Sequence, residues 1–379
     1  MLATLTAPLF ASLVTTLRTP LSFLLVIGIL VFVHEFGHYL AARLVGCKIE
    51  AFAIGFGRPI VKWTDRTGTA WQIGWIPIGG YVRIHGFERA DLMAPEDRAA
   101  LIPGRAYQNK PVAARALVAA AGPAANFLLT FLLFLGLFLA VGLPRQTTQV
   151  LQVLPNHPAA AAGIARGDII TGIAGTPVTD FAALQRVTSA HPGQTVPVRL
   201  TRAGKPLTLS VTLGAVPGPH GGKIGELGIA GGAVAYRATG PVGAVMAAAR
   251  QSWAVVAQTA HGLWQLVTGH ANPADLGGAL RIAQLSGQEA RLGLASFVSF
   301  IAIISVNLGL LNLVPIPVLD GGHLFFLALE AVRGRPVPPR YYEAGMRAGI
   351  GIVAVLLIFS AVNDLGHFGL FHWLRHAVG

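Results

Sequence analysis

The sequence predicts a polytopic α-helical membrane protein with about four transmembrane helices, a cytoplasmic membrane-associated β-hairpin region and an inserted extracytoplasmic β/α domain. Three observations predict it. The 379 residues are 53% hydrophobic and only 12% charged, against roughly 25% charged in soluble chains. Four apolar stretches, near 20–45, 114–142, 294–314 and 347–364, are long enough to span a bilayer, which takes about 20 residues. Lys and Arg gather between the first and second stretches and again between the third and fourth, and loops of that kind stay cytoplasmic. The chain then starts and ends outside, with 143–293 extracytoplasmic. The net charge of +12 has no Lys/Arg run with interleaved aromatics, so nucleic acid is not an expected partner.

The elements follow in order. Residues 1–45 hold the first span, which carries polar residues in place of a small-residue cleavage site and so reads as a retained span. The loop 46–112 contains TAWQIGWIPIGGYVR, in which aromatic and β-branched residues broken by Gly and Pro read as a hairpin at the membrane edge. The single cysteine, Cys47, excludes an internal disulfide. The second span occupies 113–143. Residues 146–215 alternate Val/Leu/Thr runs with Gly and Pro turns and read as a small β/α module. In 216–292 a Gly-rich linker, too short for a second module, leads to a helix over 241–267. Its stripe with Trp253 and Trp264 suits the membrane interface better than a fifth span, which would put the basic segment 333–347 outside. The third span and an LDG string fill 293–323, a cytoplasmic segment 324–346, and the fourth span with a tail 347–379. Asp364 and the remaining histidines carry no motif and read as interfacial or solvated.

Chemistry concentrates in His34-Glu35-Phe36-Gly37-His38, an HExxH string inside the first span. On a helix His34 and His38 sit one turn apart and face the same way, so two imidazoles converge. Glu35 stands beside them, placed to take a proton from an attacking water. Ionisable groups cost about 3 kcal/mol each at the bilayer centre and mark function there. Catalytic zinc takes three protein ligands, and the third candidate is Asp320 in Asn312-Leu-Val-Pro315-Ile-Pro317-Val-Leu-Asp320-Gly321-Gly322-His323. The two prolines must end the third helix, and unwound backbone at membrane depth lines protein or water. Asp320 also stands where it would cap the helix HLFFLALEAV.

HExxH in a first span, NxxPxPxLDG after a later one and the insert between them resemble the site-2 protease family, specifically its bacterial regulator-of-sigma-E-protease type. Phe52-Ala-Ile-Gly-Phe-Gly57, Ile76-Pro-Ile-Gly-Gly-Tyr81-Val and Ala121-Gly-Pro-Ala-Ala-Asn126 agree with it. Within the insert, Pro158-Ala-Ala-Ala-Ala-Gly163-Ile-Ala-Arg-Gly167-Asp168 resembles a PDZ domain, which adds a peptide or chain end to a sheet edge. Relatives with two PDZ-like modules exist, and this chain shows one. The resemblance implies an intramembrane zinc endopeptidase of the bacterial inner membrane. Zn2+ would be held by His34, His38 and Asp320, with Glu35 as the base. Single-pass substrates such as anti-sigma factors or remnant signal peptides would be cut within the bilayer. The unwound substrate is expected against Gly79, Gly80 and Tyr81 of the hairpin and near Asn126, Asn312, Pro315 and Pro317, with Asn126 and Asn312 bonding substrate or each other. Two other classes fit the sequence less well. A metal transporter would spread such residues along a path and has no use for Glu35. A non-catalytic scaffold would usually lack one of the four central residues. Ligand type favours zinc and leaves iron and cobalt open.

Overall fold

The computed structural model describes residues 2–87, 93–218, 222–270 and 277–367. The chain divides into two compact units, one of Met1–Leu137 with Val245–Gly379 and one of Phe138–Ala244. Helix α1 (Leu2–Leu44) opens the first unit. It starts well before the expected Pro20, which lies inside one continuous helix; membrane helices tolerate proline because neighbouring groups take up the freed carbonyl. Its candidate span is Leu17–Leu44.

Strands β1 (Ile49–Thr64) and β2 (Ala70–Ile84) form an antiparallel hairpin. Asp65 organises its turn, Oδ1 accepting the Thr67 and Thr69 amides at 2.8 and 3.0 Å and Oδ2 the Trp71 indole at 3.0 Å. The hairpin base is buried on α1, where Phe52 is 1% exposed and meets the rings of Phe32, Phe36, Tyr39 and Trp71. The far part presents Ile60, Trp63 and Trp75 outward, Trp75 at 62% exposure. An apolar face of this kind needs something other than water against it. A short helix α2 (Pro95–Ala99) and the long α3 (Val112–Ala140) follow.

The second unit is a five-strand sheet with one short extra strand. Its elements are β3 (Leu143–Val153), α4 (Pro158–Ala161), β4 (Ile169–Ile173), β5 (Thr176–Pro177), α5 (Phe181–Ser189), β6 (Thr195–Arg202), β7 (Lys205–Thr212), β8 (Gly214–Pro217), β9 (Lys223–Glu226) and β10 (Ile229–Arg237). The sheet order is β10-β3-β4-β6-β7, with β5 on β4 and a separate β8–β9 pair. Alternation sends Val196, Val198 and Leu200 inward, where they join Val150, Ile170, Ile173, Leu184 and Val211 in one core. Asp180 caps α5 by accepting the Ala183 amide. Buried Asp168 accepts Arg202 at 2.8 and 2.7 Å and the Ala165 amide at 2.9 Å, and the Arg202 guanidinium holds its carboxyl below the usual range.

Two expectations change here. The module does not end at 215, and the stretch after it is not a linker. Strand β10 returns to pair with β3 from Ile229↔Val153 to Arg237↔Leu143. Gly231 and Gly232 lower its strand propensity, and the hydrogen bonds of an otherwise open sheet edge outweigh that loss.

The chain re-enters the first unit through α6 (Pro241–Val267), with Trp253 and Trp264 exposed, and α7 (Ala279–Leu292). Helix α7 replaces the expected end of the linker. At 14 residues it is too short to cross a bilayer, and it lies against α1 with Gly287 on Thr19. Its first amides are capped by Asp364, only 3% exposed, which accepts from Gly278 and Leu280 at 2.9 Å each. Asp364 is therefore not solvated, because unpaired helix N–H groups need an acceptor. Helices α8 (Leu294–Leu313), α9 (Asp320–Arg333) and α10 (Pro339–His367) complete the unit. The expected cytoplasmic segment 324–346 is thus mostly helical, broken only where left-handed Gly334 ends α9 and Pro339 starts α10. Among the described residues, four helices are long and apolar enough to cross a membrane: Leu17–Leu44, Val112–Ala140, Leu294–Leu313 and Pro339–Gly366.

Candidate metal centre

The i,i+4 spacing brings His34 and His38 together on α1, their Nε2 atoms 3.3 Å apart. Asp320, distant in sequence, completes the group. Its Oδ2 lies 3.1 Å from His34 Nε2 and its Oδ1 3.4 Å from His38 Nε2. Tetrahedral zinc with ligands at about 2.0–2.2 Å spaces them about 3.3–3.6 Å apart; one ligand atom from each of the three residues lies within 4.8 Å of the others, and the two imidazole nitrogens at 3.3 Å match that spacing. Asp320 Oδ2 is also buried without an aligned hydrogen bond. Two imidazole lone pairs and an orphaned carboxylate oxygen facing one point fit a cation of nitrogen and oxygen preference. Burial pushes the Asp320 carboxyl up, but the two imidazoles outweigh it and hold it well below the usual carboxylate range.

Local sequence explains how Asp320 arrives. Helix α8 stops at Leu313, and the segment Pro315–Leu319 runs unwound. Val318 takes φ +109°, a strained conformation for a β-branched residue. Side chains at Gly321 and Gly322 would run into the carbonyls of Leu313 and Ile316, so only glycine lets α9 fold back on this segment. Asp320 is the first residue of α9 and Leu319 the N-cap, with no side-chain cap bond. The capping reading is thereby corrected: the carboxylate points to the histidines. Arg115 of α3 grips Glu330 of α9 through two bonds of 3.2 and 2.6 Å, tying the Asp320 helix in place.

Helix α3 backs the histidines. Gly37 presses on the Ala121 carbonyl, and Gly122 lies under the His38 ring so closely that any Cβ would strike Nε2. His38 Nδ1 donates to Val118 O at 2.8 Å, and the Asn126 amide lies 3.1 Å from His34 Nδ1.

A cavity opens beside the three ligand candidates, lined also by Glu35, Gly80, Tyr81, Asn312 and His323. The residues expected on the substrate path divide. Gly80, Tyr81 and Asn312 reach the cavity wall; a Cβ at Gly80 would lie 3.1 Å from Glu35 Cγ. Asn312 donates to Leu308 O at 3.0 Å. Gly79 instead turns against the Phe56 ring, and Pro317 packs on Gly345 and Gly349 of α10. Pro315 is not among the cavity residues. Asn126 is fully buried, and it bonds neither substrate space nor Asn312. His323 was passed over although i,i+3 spacing from Asp320 places it on the same face of α9. Burial lowers its pKa, favouring the neutral ring. His85 is likewise buried rather than solvated, 2.7 Å from Glu50 and accepting the Ile102 amide at 3.0 Å.

An HExxH pair on a helix able to cross a membrane, joined by a distant carboxylate, marks the class of membrane-embedded metallopeptidases. Comparison with known proteins agrees. The chain matches peptidase family M50 over residues 22–356. A protein of Rhizobium meliloti named as a zinc metalloprotease is 40% identical over 361 residues, covering 91% of this chain and 95% of its own. Metalloprotease MmpA of Caulobacter vibrioides is 34% identical, covering 93% and 96%. Regulator of sigma-E protease RseP of Escherichia coli is 29% identical, covering 90% and 97%. The PDZ domain of an SdrC-like protein of Listeria innocua is 25% identical over 24% of this chain and 99% of that one, with a TM-score of 0.20. The chain belongs to peptidase family M50, the site-2 proteases. It is a zinc-dependent intramembrane metalloendopeptidase.

Proposed function

We propose that His34, His38 and Asp320 hold the zinc ion, that Glu35 is the general base, and that the enzyme cuts unwound transmembrane segments of single-pass proteins. The observation that carries this reading is that His34, His38 and Asp320 each bring one ligand atom within 4.8 Å of the others, beside Glu35. Zinc, when bound, polarises the scissile carbonyl and acidifies a water. Glu35 takes that water's proton and passes it to the leaving nitrogen.

A transmembrane helix shields its peptide bonds with its own hydrogen bonds, so the substrate must open locally. The free edge of β2 supports strand addition, since Gly80 and Tyr81 bring it beside Glu35. Ile76→Pro should lower turnover at least tenfold while zinc content stays at one per chain. Unchanged turnover would remove the hairpin from substrate handling. The basic loops support a hairpin on the cytoplasmic side of the inner membrane and a Phe138–Ala244 unit outside. That unit is a PDZ-like module whose groove between α5 and Ile224–Ile229 would take a peptide or chain end. Helix α6, with its exposed tryptophans, rests in the lipid interface. Anti-sigma factors and remnant signal peptides are the substrate classes of this reading; the Escherichia coli relative is named a regulator of sigma-E protease.

The test is cleavage of a bilayer-embedded single-pass reporter by the purified enzyme, before and after zinc removal by a chelator. Cleavage should stop on removal and return with one equivalent of zinc, and the cut should map inside the hydrophobic segment. A cut confined to flanking soluble sequence would overturn the intramembrane assignment.

A further inference from the structure

We propose that Asn126 is the positioning residue for His34, its amide oxygen accepting the His34 Nδ1 proton so that Nε2 keeps its lone pair for zinc. This rests on the ligand reading above. Neutral imidazole carries one N–H and one lone pair, and the partner of one nitrogen decides which is which. For His38 the answer is settled by chemistry: Nδ1 lies 2.8 Å from Val118 O, a carbonyl that only accepts, so the proton is on Nδ1 and Nε2 is free. His34 needs the same tautomer, because its Nε2 lies 3.3 Å from His38 Nε2 and 3.1 Å from Asp320 at the convergence point.

Among the described residues, the hydrogen-bond partner of its Nδ1 is the Asn126 amide at 3.1 Å. The two ends of a carboxamide have the same shape, and the hydrogen-bond network assigns them. With Nδ2 toward His34, the ring proton would be driven onto Nε2 and the ligand lost, while Asn126 Oδ1 stays buried without a partner. With Oδ1 toward His34, the amide acts on His34 as Val118 O acts on His38. Either orientation leaves one amide edge unpaired, so the demand of the imidazole decides. Helix α3 thereby supplies an acceptor to both histidines.

The surroundings are built to hold this side chain still. Asn126 is 0% exposed. Its backbone carbonyl accepts Ser305 Oγ of α8 at 2.8 Å and Thr130 Oγ1 at 3.0 Å. Thr130 Oγ1 also reaches Ala302 O at 2.9 Å, and Gly309 of α8 packs on the Asn126 Cβ. An acceptor fixed behind a metal-binding histidine typically changes metal affinity about 10–100-fold.

The experiment measures zinc affinity of the full-length protein by chelator competition, with thermal unfolding of the zinc-free forms as a check on fold. Asn126→Leu keeps the branched outline and removes the acceptor; Asn126→Asp keeps the acceptor and removes the donor. N126L should bind zinc about 10–100-fold more weakly, and N126D at least as tightly as wild type. Equal affinity in N126L, or equal loss in N126D and N126L, would overturn the proposal. If N126L does not fold, Asn126→Ala makes the same comparison with no bulk added. His34→Ala separates the two readings: if it binds zinc like wild type, the ligand assignment fails whatever Asn126 does.

Discussion

Glu35→Gln should abolish cleavage of a membrane-embedded substrate while the protein still binds one zinc. The substitution keeps size and hydrogen-bonding length, so the ligand group on α1 and α9 is undisturbed. It removes the carboxylate that the HExxH helix places on the cavity wall beside Gly80. General-base catalysis contributes about 10²–10⁴-fold, and the loss should reach that range or pass below detection. Measuring turnover and zinc on the same preparation separates chemistry from metal loss. Residual activity within tenfold of wild type, with zinc retained, would move the base elsewhere; His323 would then be the next residue to change, since it lines the same cavity.

Gly122→Val is expected to remove both zinc and activity without touching any ligand. A Cβ at this position would overlap His38 Nε2, and the ring has no room to retreat because Nδ1 is anchored on Val118 O. The imidazole must leave the ligand point or α3 must move off α1, where Gly37 already meets the Ala121 carbonyl. Zinc affinity should fall more than 100-fold, the upper end of what outer-shell changes produce. Gly136→Val on the same helix is the control, since a Cβ there meets nothing within 4 Å. Loss of zinc in both variants would indicate general damage to α3; retention in Gly122→Val would show that the helix contact is softer than its geometry.

The two variants test different halves of the centre. The first concerns a side chain that acts on substrate, the second a backbone contact that determines where a ligand stands. The Asn126 comparison lies between them, changing only the hydrogen bond behind His34.

Local chemistry was readable from the chain alone. His34 and His38 face the same way because a helix repeats every 3.6 residues, and apolar runs announce spans because lipid offers no hydrogen bonds to backbone. Even the break before Asp320 is written in Pro315 and Pro317, which lack the N–H a helix needs. Residues whose role depends on a neighbour far along the chain were not readable. Asp364 looked solvated until α7 brought unpaired amides to it. Asn126 looked like a substrate contact until α3 crossed α1 and turned its amide to the back of His34. The Gly-rich stretch after 215 looked like a linker until β3 supplied an edge for β10 to pair with. Periodicity and backbone chemistry act over a few residues, so sequence by itself determines which elements form and which carry reactive groups. Partnership depends on which elements meet in space, and that is decided only by the packing of the whole chain.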